Sequence, residues 1–272
     1  MFGKLLKYDF RSMFKQFAFI WPAALALALV NHFTISSFVT SVSDMRQTAA
    51  GIAMLVYVAI LMAMFVIAVI FVIQRFYKGL LGDEGYLMHT LPVKPWQLIA
   101  SKLLCACVTT FVSIIVALLS ILMIFPWDLK DFQGFFEGLR DVFTNWSTQA
   151  AHIVAMLLEV CLLAVVSYAM AYLQLYLAMS IGHLFNKNRV AWSVAAFIVL
   201  NTVVNTLIGT FLMTGFDTFL NMVRSISAAD GFQSTMWTVH STLWIIMAGE
   251  LIQAAVYFAG TEFILRKKLN LE

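Results

Sequence analysis

The chain has 272 residues, 62% of them hydrophobic and only 11% charged, with a formal net charge of +3 and a mean hydropathy of +0.90. A soluble globular domain is about half apolar and a quarter charged, so a fold of this length in water would expose far more apolar surface than its interior can hide. The apolar residues also come in long blocks, and a block of about 18 or more with few charges reads as a transmembrane helix.

In chain order, residues 1–16 read as an amphipathic helix. Phe2, Leu5, Leu6, Phe10, Met13, Phe14 and Phe17 recur at steps of three and four, and Lys4, Lys7, Arg11 and Lys15 do the same on the other side. Such a helix lies in the membrane interface, with its lysine stems reaching toward anionic headgroups. A basic start before an apolar run also suggests a signal peptide. The small-residue pattern from Ala24 to Ala28 falls inside the run, however, so residues 1–16 are expected to stay in the mature protein.

Six spans follow, at about 17–38, 51–73, 97–125, 150–180, 190–213 and 241–265. With the N-terminus inside, the cytosolic segments hold Lys4, Lys7, Arg11, Lys15, Arg75, Lys78, Lys94, Lys102, Lys187, Arg189, Arg266, Lys267 and Lys268. The outer segments hold only Arg46, Lys130, Arg140 and Arg224 of the 17 lysines and arginines. The positive-inside rule therefore puts both termini in the cytosol. Between spans, 126–149 and 215–240 are patterned like helices. Phe132, Phe135, Phe136, Leu139, Val142, Phe143 and Trp146 share one face, and Phe216, Phe219, Leu220, Val223 and Ile226 repeat the pattern before Asp230-Gly231 breaks it. Both are expected to be outer interfacial or re-entrant helices.

Chemistry-bearing motifs are absent from the sequence. Gly79-Leu-Leu-Gly82-Asp-Glu-Gly85 has neither the lysine nor the spacing of a phosphate-binding loop, and there is no nucleophile elbow or His-Glu-x-x-His. Cys105, Cys107 and Cys161 lie in apolar blocks without the spacing of a metal or redox site. The five histidines (His32, His89, His152, His183 and His240) fall in different segments and read as interfacial or packing residues. No catalysis, cofactor, metal or nucleic-acid partner is expected of this chain.

The most informative stretch is 74–96, the cytosolic connection between spans two and three. Gly82 suits a left-handed helix stop, Asp83 and Glu84 favour a new helix start, and Pro92 forces that helix to end by Thr90. Pro95 then opens the next helix. Tyr86, Leu87 and Met88 ride on the short helix between, which is either a plain connector or a plug for a cytosolic partner. The wording Arg75-Phe-Tyr-Lys, Leu81-Gly-Asp-Glu-Gly-Tyr-Leu-Met and Thr90-Leu-Pro-Val-Lys-Pro strongly resembles the permease subunits of bacterial ABC-2 type transporters over residues 74–103. Elsewhere the likeness is one of layout. The resemblance implies a type V exporter-like architecture in a bacterial plasma membrane. It also implies a second permease copy, homo- or heterodimeric, and a separate ATPase subunit that supplies ATP and Mg. Residues Asp83, Glu84, Tyr86, Leu87, Met88 and Thr90 would then form the coupling helix that docks on that ATPase.

Polar residues within the spans complete the candidates. Glu159 and Glu250 sit inside apolar blocks, where a central carboxylate costs on the order of 2.5–3.5 kcal/mol and must face protein or water. Glu250, Gln253, Tyr257 and Thr261 lie along one face of span six, and Asn201 and Asn205 form a row in span five beside Thr202, Thr206 and Thr210. These rows either line a substrate path or make interhelical hydrogen bonds. Two rival functions use the same residues differently: a proton- or ion-coupled carrier working through Glu159 and Glu250, and a non-transporting scaffold or sensor.

Overall fold

The computed structural model describes residues 2–39, 44–82, 93–124, 148–185, 187–211 and 231–267, with isolated positions between 133 and 144. Among the described residues every element is helical and none is a strand. Six stretches are long and apolar enough to cross a bilayer: Phe2–Phe33, Gly51–Leu81, Pro95–Ile124, Ala150–Gly182, Arg189–Thr206 and Met236–Lys267. The chain is an all-α, multi-pass membrane protein. Helices suit that solvent because they satisfy every backbone N–H and C=O internally where lipid offers no partner. Side chains such as Leu55, Leu158 and Ile252 point outward, about two-thirds or more exposed, the reverse of a water-soluble pattern.

Helix α1 (Phe2–Phe17) and helix α2 (Ile20–Val39) are separated by a turn at Ala18 and Phe19. Pro22 accounts for the break. A continuous helix would need an N–H at position 22 for the Ala18 carbonyl, and the proline ring crowds that carbonyl as well. In the first turn of α2 the missing donor costs nothing, because those amides have no intrahelical partner anyway. Lys4, Lys7, Arg11 and Lys15 are exposed on α1, while Met13 and Phe17 are buried.

Helix α3 (Asp44–Phe76) begins before the expected span and opens at its end into a π-turn, Tyr77–Leu81. The Gly82 N–H closes that turn on the Tyr77 carbonyl at 2.8 Å. The expected left-handed stop is corrected here, since Gly82 is extended, at φ −96° and ψ −163°. The wider π-turn bond ends the helix without requiring a positive φ. Helix α4 (Pro95–Ile124) starts with its proline in the first position, and the Gln97 side chain accepts a hydrogen bond from the Lys94 N–H at 3.3 Å.

Helices α5 (Thr148–Gly182), α6 (Arg189–Phe211) and α7 (Gly231–Lys267) follow. Gly231 starts α7 rather than only ending what precedes it, so the last helix begins well before the expected 241. A helix need not stop where the apolar block stops, and α7 carries its first polar turns beyond it. In the two long stretches between spans, positions 133, 134, 136–138, 140 and 144 are helical, and Thr144 bonds the Arg140 carbonyl at 2.8 Å. Residues 215–230 lie outside the described residues.

The chain divides into two compact units, Met1–Arg75 with Ala100–Asn145, and Phe76–Ile99 with Trp146–Glu272. In the first, Ala24 and Ala28 on α2 let the backbone approach closely, and they pack with Met64, Val116 and Ala117 and with Tyr57 and Ile124. Polar pairs stitch the same helices: Trp21 Nε1 donates to Ser113 Oγ at 3.0 Å, and Tyr57 and Ser120 hydroxyls meet at 2.7 Å. In the second unit α5 and α7 run parallel. Ser167 meets Glu250, and Leu177 meets Gly260, in one constant register.

Helix α6 returns against α5 through a tight turn in which Asn188 adopts φ 54°, a conformation asparagine tolerates better than most residues. Phe185 stacks on Trp192 at 4.2 Å beside it. A Cβ on Gly182 would lie 1.9 Å from Ser193 Oγ and 2.6 Å from the Ser193 nitrogen, so the α6 backbone rests directly on this glycine. Gly182→Ala should therefore destabilise the protein by about 1–3 kcal/mol, the usual cost of overpacking. Gly249→Ala, where nothing lies within 4 Å, serves as the unaffected control. Thermal unfolding in detergent compares the two; equal melting temperatures would refute the packing argument.

Candidate functional site

Two polar clusters stand out, each within one unit. The first begins with Asp9. On α1 it sits one turn from Leu5 and one turn from Met13, on the apolar stripe and opposite the basic one. It is 1% exposed. A carboxylate so placed needs charged or hydrogen-bonding partners, because an unpaired buried ion is among the costliest features a fold can carry.

The partners come from the two stems of the connection between α3 and α4. Arg75, at the end of α3, places Nη2 2.7 Å from Asp9 Oδ1. Lys102, in the second turn of α4 and almost wholly buried, places Nζ 3.5 Å from the same oxygen. Ser101 donates its hydroxyl to Asp9 Oδ2. Thr109, two turns further along α4, leans its hydroxyl on the Met13 sulfur at 3.9 Å. One carboxylate thus holds residues near both ends of the stretch 74–103 whose wording stands out in the sequence. Sequence reading missed Asp9 and Ser101; it counted Arg75 and Lys102 as cytosolic charges, and Arg75 also opens the family-like wording. The available signal was an acidic residue on the apolar stripe of a basic helix.

Within the second unit the same connection is anchored by aromatic contacts. Phe76 stacks face to face on Tyr176 of α5, with centroids 4.0 Å apart and both rings buried. Tyr77 meets the edge of His183 at 5.0 Å. Burial pushes His183 below the ordinary imidazole value; its contact with the Met179 carbonyl opposes that shift and the Arg189 cation adds to it. A neutral ring under Tyr77 follows. The sequence-predicted coupling residues Asp83, Glu84, Tyr86, Leu87, Met88 and Thr90 lie outside the described residues.

The second cluster runs along the parallel α5–α7 seam. His240 Nδ1 lies 2.6 Å from Glu159 Oε2, and Trp244 Nε1 donates to Glu159 Oε1 at 3.0 Å. His152 Nδ1 lies 3.1 Å from His240 Nε2. Read as interfacial or packing residues in different segments, the histidines gave no sign of this contact, because residues 152 and 240 are joined only by the parallel register of two helices. Further along, Ser167 donates to Glu250 Oε2 at 2.6 Å. Beyond that, Gln253 Oε1, the Tyr257 hydroxyl and Gln174 Nε2 are buried without a hydrogen-bond partner.

Of the proposed path residues, the structure gathers Glu250, Gln253 and Tyr257 on the face of α7 toward α5. Asn201 and Asn205 are exposed on α6 instead. No group of His, Cys, Asp and Glu side chains among the described residues is arranged to hold a metal ion. No family model, curated protein or solved structure matches the chain.

Breaking a buried ion pair by deleting one partner costs about 3–5 kcal/mol, since the other charge is left stranded. Asp9→Asn should lower stability by that order, and adding Lys102→Met should recover part of the loss by removing the stranded cation. Chemical or thermal unfolding of the two variants reads this. A double variant no more stable than Asp9→Asn alone would show that Asp9 acts otherwise than as the counter-charge.

Proposed function

We propose that this chain is the membrane-spanning permease subunit of an ATP-driven transporter of the ABC-2 type, an exporter in a bacterial plasma membrane with both termini cytosolic. The observation that carries the reading is the Asp9 cluster. A connection that merely joined two spans would have no need of a buried carboxylate gripping its entry and its exit. A connection that transmits force does, because a push on residues 83–92 moves helices only if both stems are firmly held. The family-like wording of residues 74–103 supports the same assignment.

On this reading a separate ATPase subunit closes around ATP and Mg and presses on the coupling helix that spans Asp83 to Thr90. Arg75, Ser101 and Lys102 pass the displacement to α1 through Asp9, and Phe76 and Tyr77 pass it to α5. The chain itself performs no covalent chemistry. The exposed amides Asn201 and Asn205 on α6, set in a span, support a second permease copy that covers them, since lipid gives such groups no partner. A proton-coupled carrier is a second reading, favoured by one observation: the hydrogen-bonded Glu159–His240–His152 set.

Gentle purification from the native membrane should bring down an ATPase chain carrying a phosphate-binding loop. Transport should stop with ATP depletion and persist when the membrane potential is collapsed; the opposite pair of results favours the carrier. The mode of action has its own check at the π-turn. Gly82→Pro removes the N–H that closes the turn and should abolish transport with insertion intact, as should Tyr86→Ala. Gly82→Ala, whose Cβ would make only ordinary contacts of 3.4 Å and more, should transport normally. Equal activity in all three variants would remove the coupling assignment.

A further inference from the structure

We propose that His152, His240 and Glu159 form one proton-binding unit in the α5–α7 seam, a carboxylate–imidazole–imidazole relay whose ligand is a single proton. This goes beyond the permease reading and does not depend on it. The argument starts from geometry. Both ring nitrogens of His240 are engaged, Nδ1 with Glu159 Oε2 at 2.6 Å and Nε2 with His152 Nδ1 at 3.1 Å. Trp244 occupies the other carboxylate oxygen at 3.0 Å, which keeps Oε2 aimed at the ring. His240 is buried, whereas His152 is only partly so and forms the accessible end of the chain.

The proton balance is complete in both states. With both rings neutral, His240 Nδ1–H donates to the Glu159 carboxylate, and His240 Nε2 accepts from His152 Nδ1–H, leaving His152 Nε2 as the open acceptor. A proton that binds there forms a new N–H bond. The His152 Nδ1 hydrogen then passes to His240 Nε2, and the His240 Nδ1 hydrogen passes to Glu159 Oε2. Each transfer breaks one bond to hydrogen and makes one, and the His152–His240 and His240–Glu159 hydrogen bonds survive with their directions reversed. The unit's charge goes from −1 to zero.

No described cation faces the unit from the helices packed around it. Helix α6 carries Arg189 at the Gly182 end of α5, the far end from His152, and Arg266 and Lys267 close the far end of α7. Glu250 lies about 15 Å further along α7 and is engaged by Ser167. Cys161, one turn or less from Glu159, points outward and is exposed. A metal ion is the alternative ligand of such side chains, but the rings bond to each other in a line instead of converging on one point.

The test is solid-state 15N NMR of the full histidine-labelled chain in lipid bilayers, acidified from about pH 8 to about pH 5, which reads for each ring which nitrogen carries the hydrogen. Two of the five histidine rings should exchange Nδ1–H for Nε2–H together. In Glu159→Gln the amide oxygen still accepts from His240 Nδ1–H but cannot take up its hydrogen, so the joint exchange in the two rings should be lost. Independent changes in the two rings, or a joint exchange that persists in Glu159→Gln, overturn the proposal. Should Glu159→Gln fail to fold, His152→Asn decides: His240 must no longer exchange Nδ1–H for Nε2–H on acidification, and an unchanged exchange overturns the relay. Either result is read without an ATPase, so it stands apart from the fate of the permease reading.

Discussion

A carboxylate buried beside lysine and arginine constrains the first unit of this protein more than any apolar contact does. Packing among alanines, leucines and methionines in a membrane is permissive, because lipid tails solvate those side chains almost as well as protein does. Asp9 has no such latitude. Once it lies on the inner face of α1, only partners of opposite charge make its burial tolerable, and those partners sit on both stems of one connection. The position of the N-terminal helix, the end of α3 and the start of α4 are thereby fixed against one another by a directional interaction.

The aromatic anchors act differently. Phe76 on Tyr176 and Tyr77 on His183 are broad, flat contacts that resist separation but allow sliding. An ion pair at Arg75 and ring contacts at Phe76 and Tyr77 give the end of α3 and the start of the π-turn two kinds of attachment. A π-turn is itself a helix end with one residue more than a regular turn accommodates, a local irregularity often found where function needs a helix to be re-aimed.

The parallel pair α5 and α7 shows how a seam of small sequence signal becomes a row of polar levels. Glu159, Glu250, Gln174 and Tyr257 are separate notes in the sequence, dispersed over two spans. A constant register brings them into one line along the seam, with the imidazoles of His152 and His240 at one end and orphaned polar atoms at the other. Such orphans in a buried seam are costly unless water or a ligand reaches them.

Much of the fold was legible beforehand. Hydropathy blocks locate all six spans because a bilayer demands about twenty apolar residues per crossing whatever the neighbours do, and the amphipathic pattern of α1 reads directly from its two stripes. Local chemistry also gave Pro95 as a helix start, but it misread Gly82, since a glycine permits a left-handed stop without requiring one. The partners of Asp9 and the pairing of His152 with His240 were invisible to any reading by period or motif. Composition and spacing are properties of a chain taken a few residues at a time, and they determined that this is a helical membrane protein. Which charges meet is decided by the register between helices far apart in sequence, and that exists only once the chain has packed.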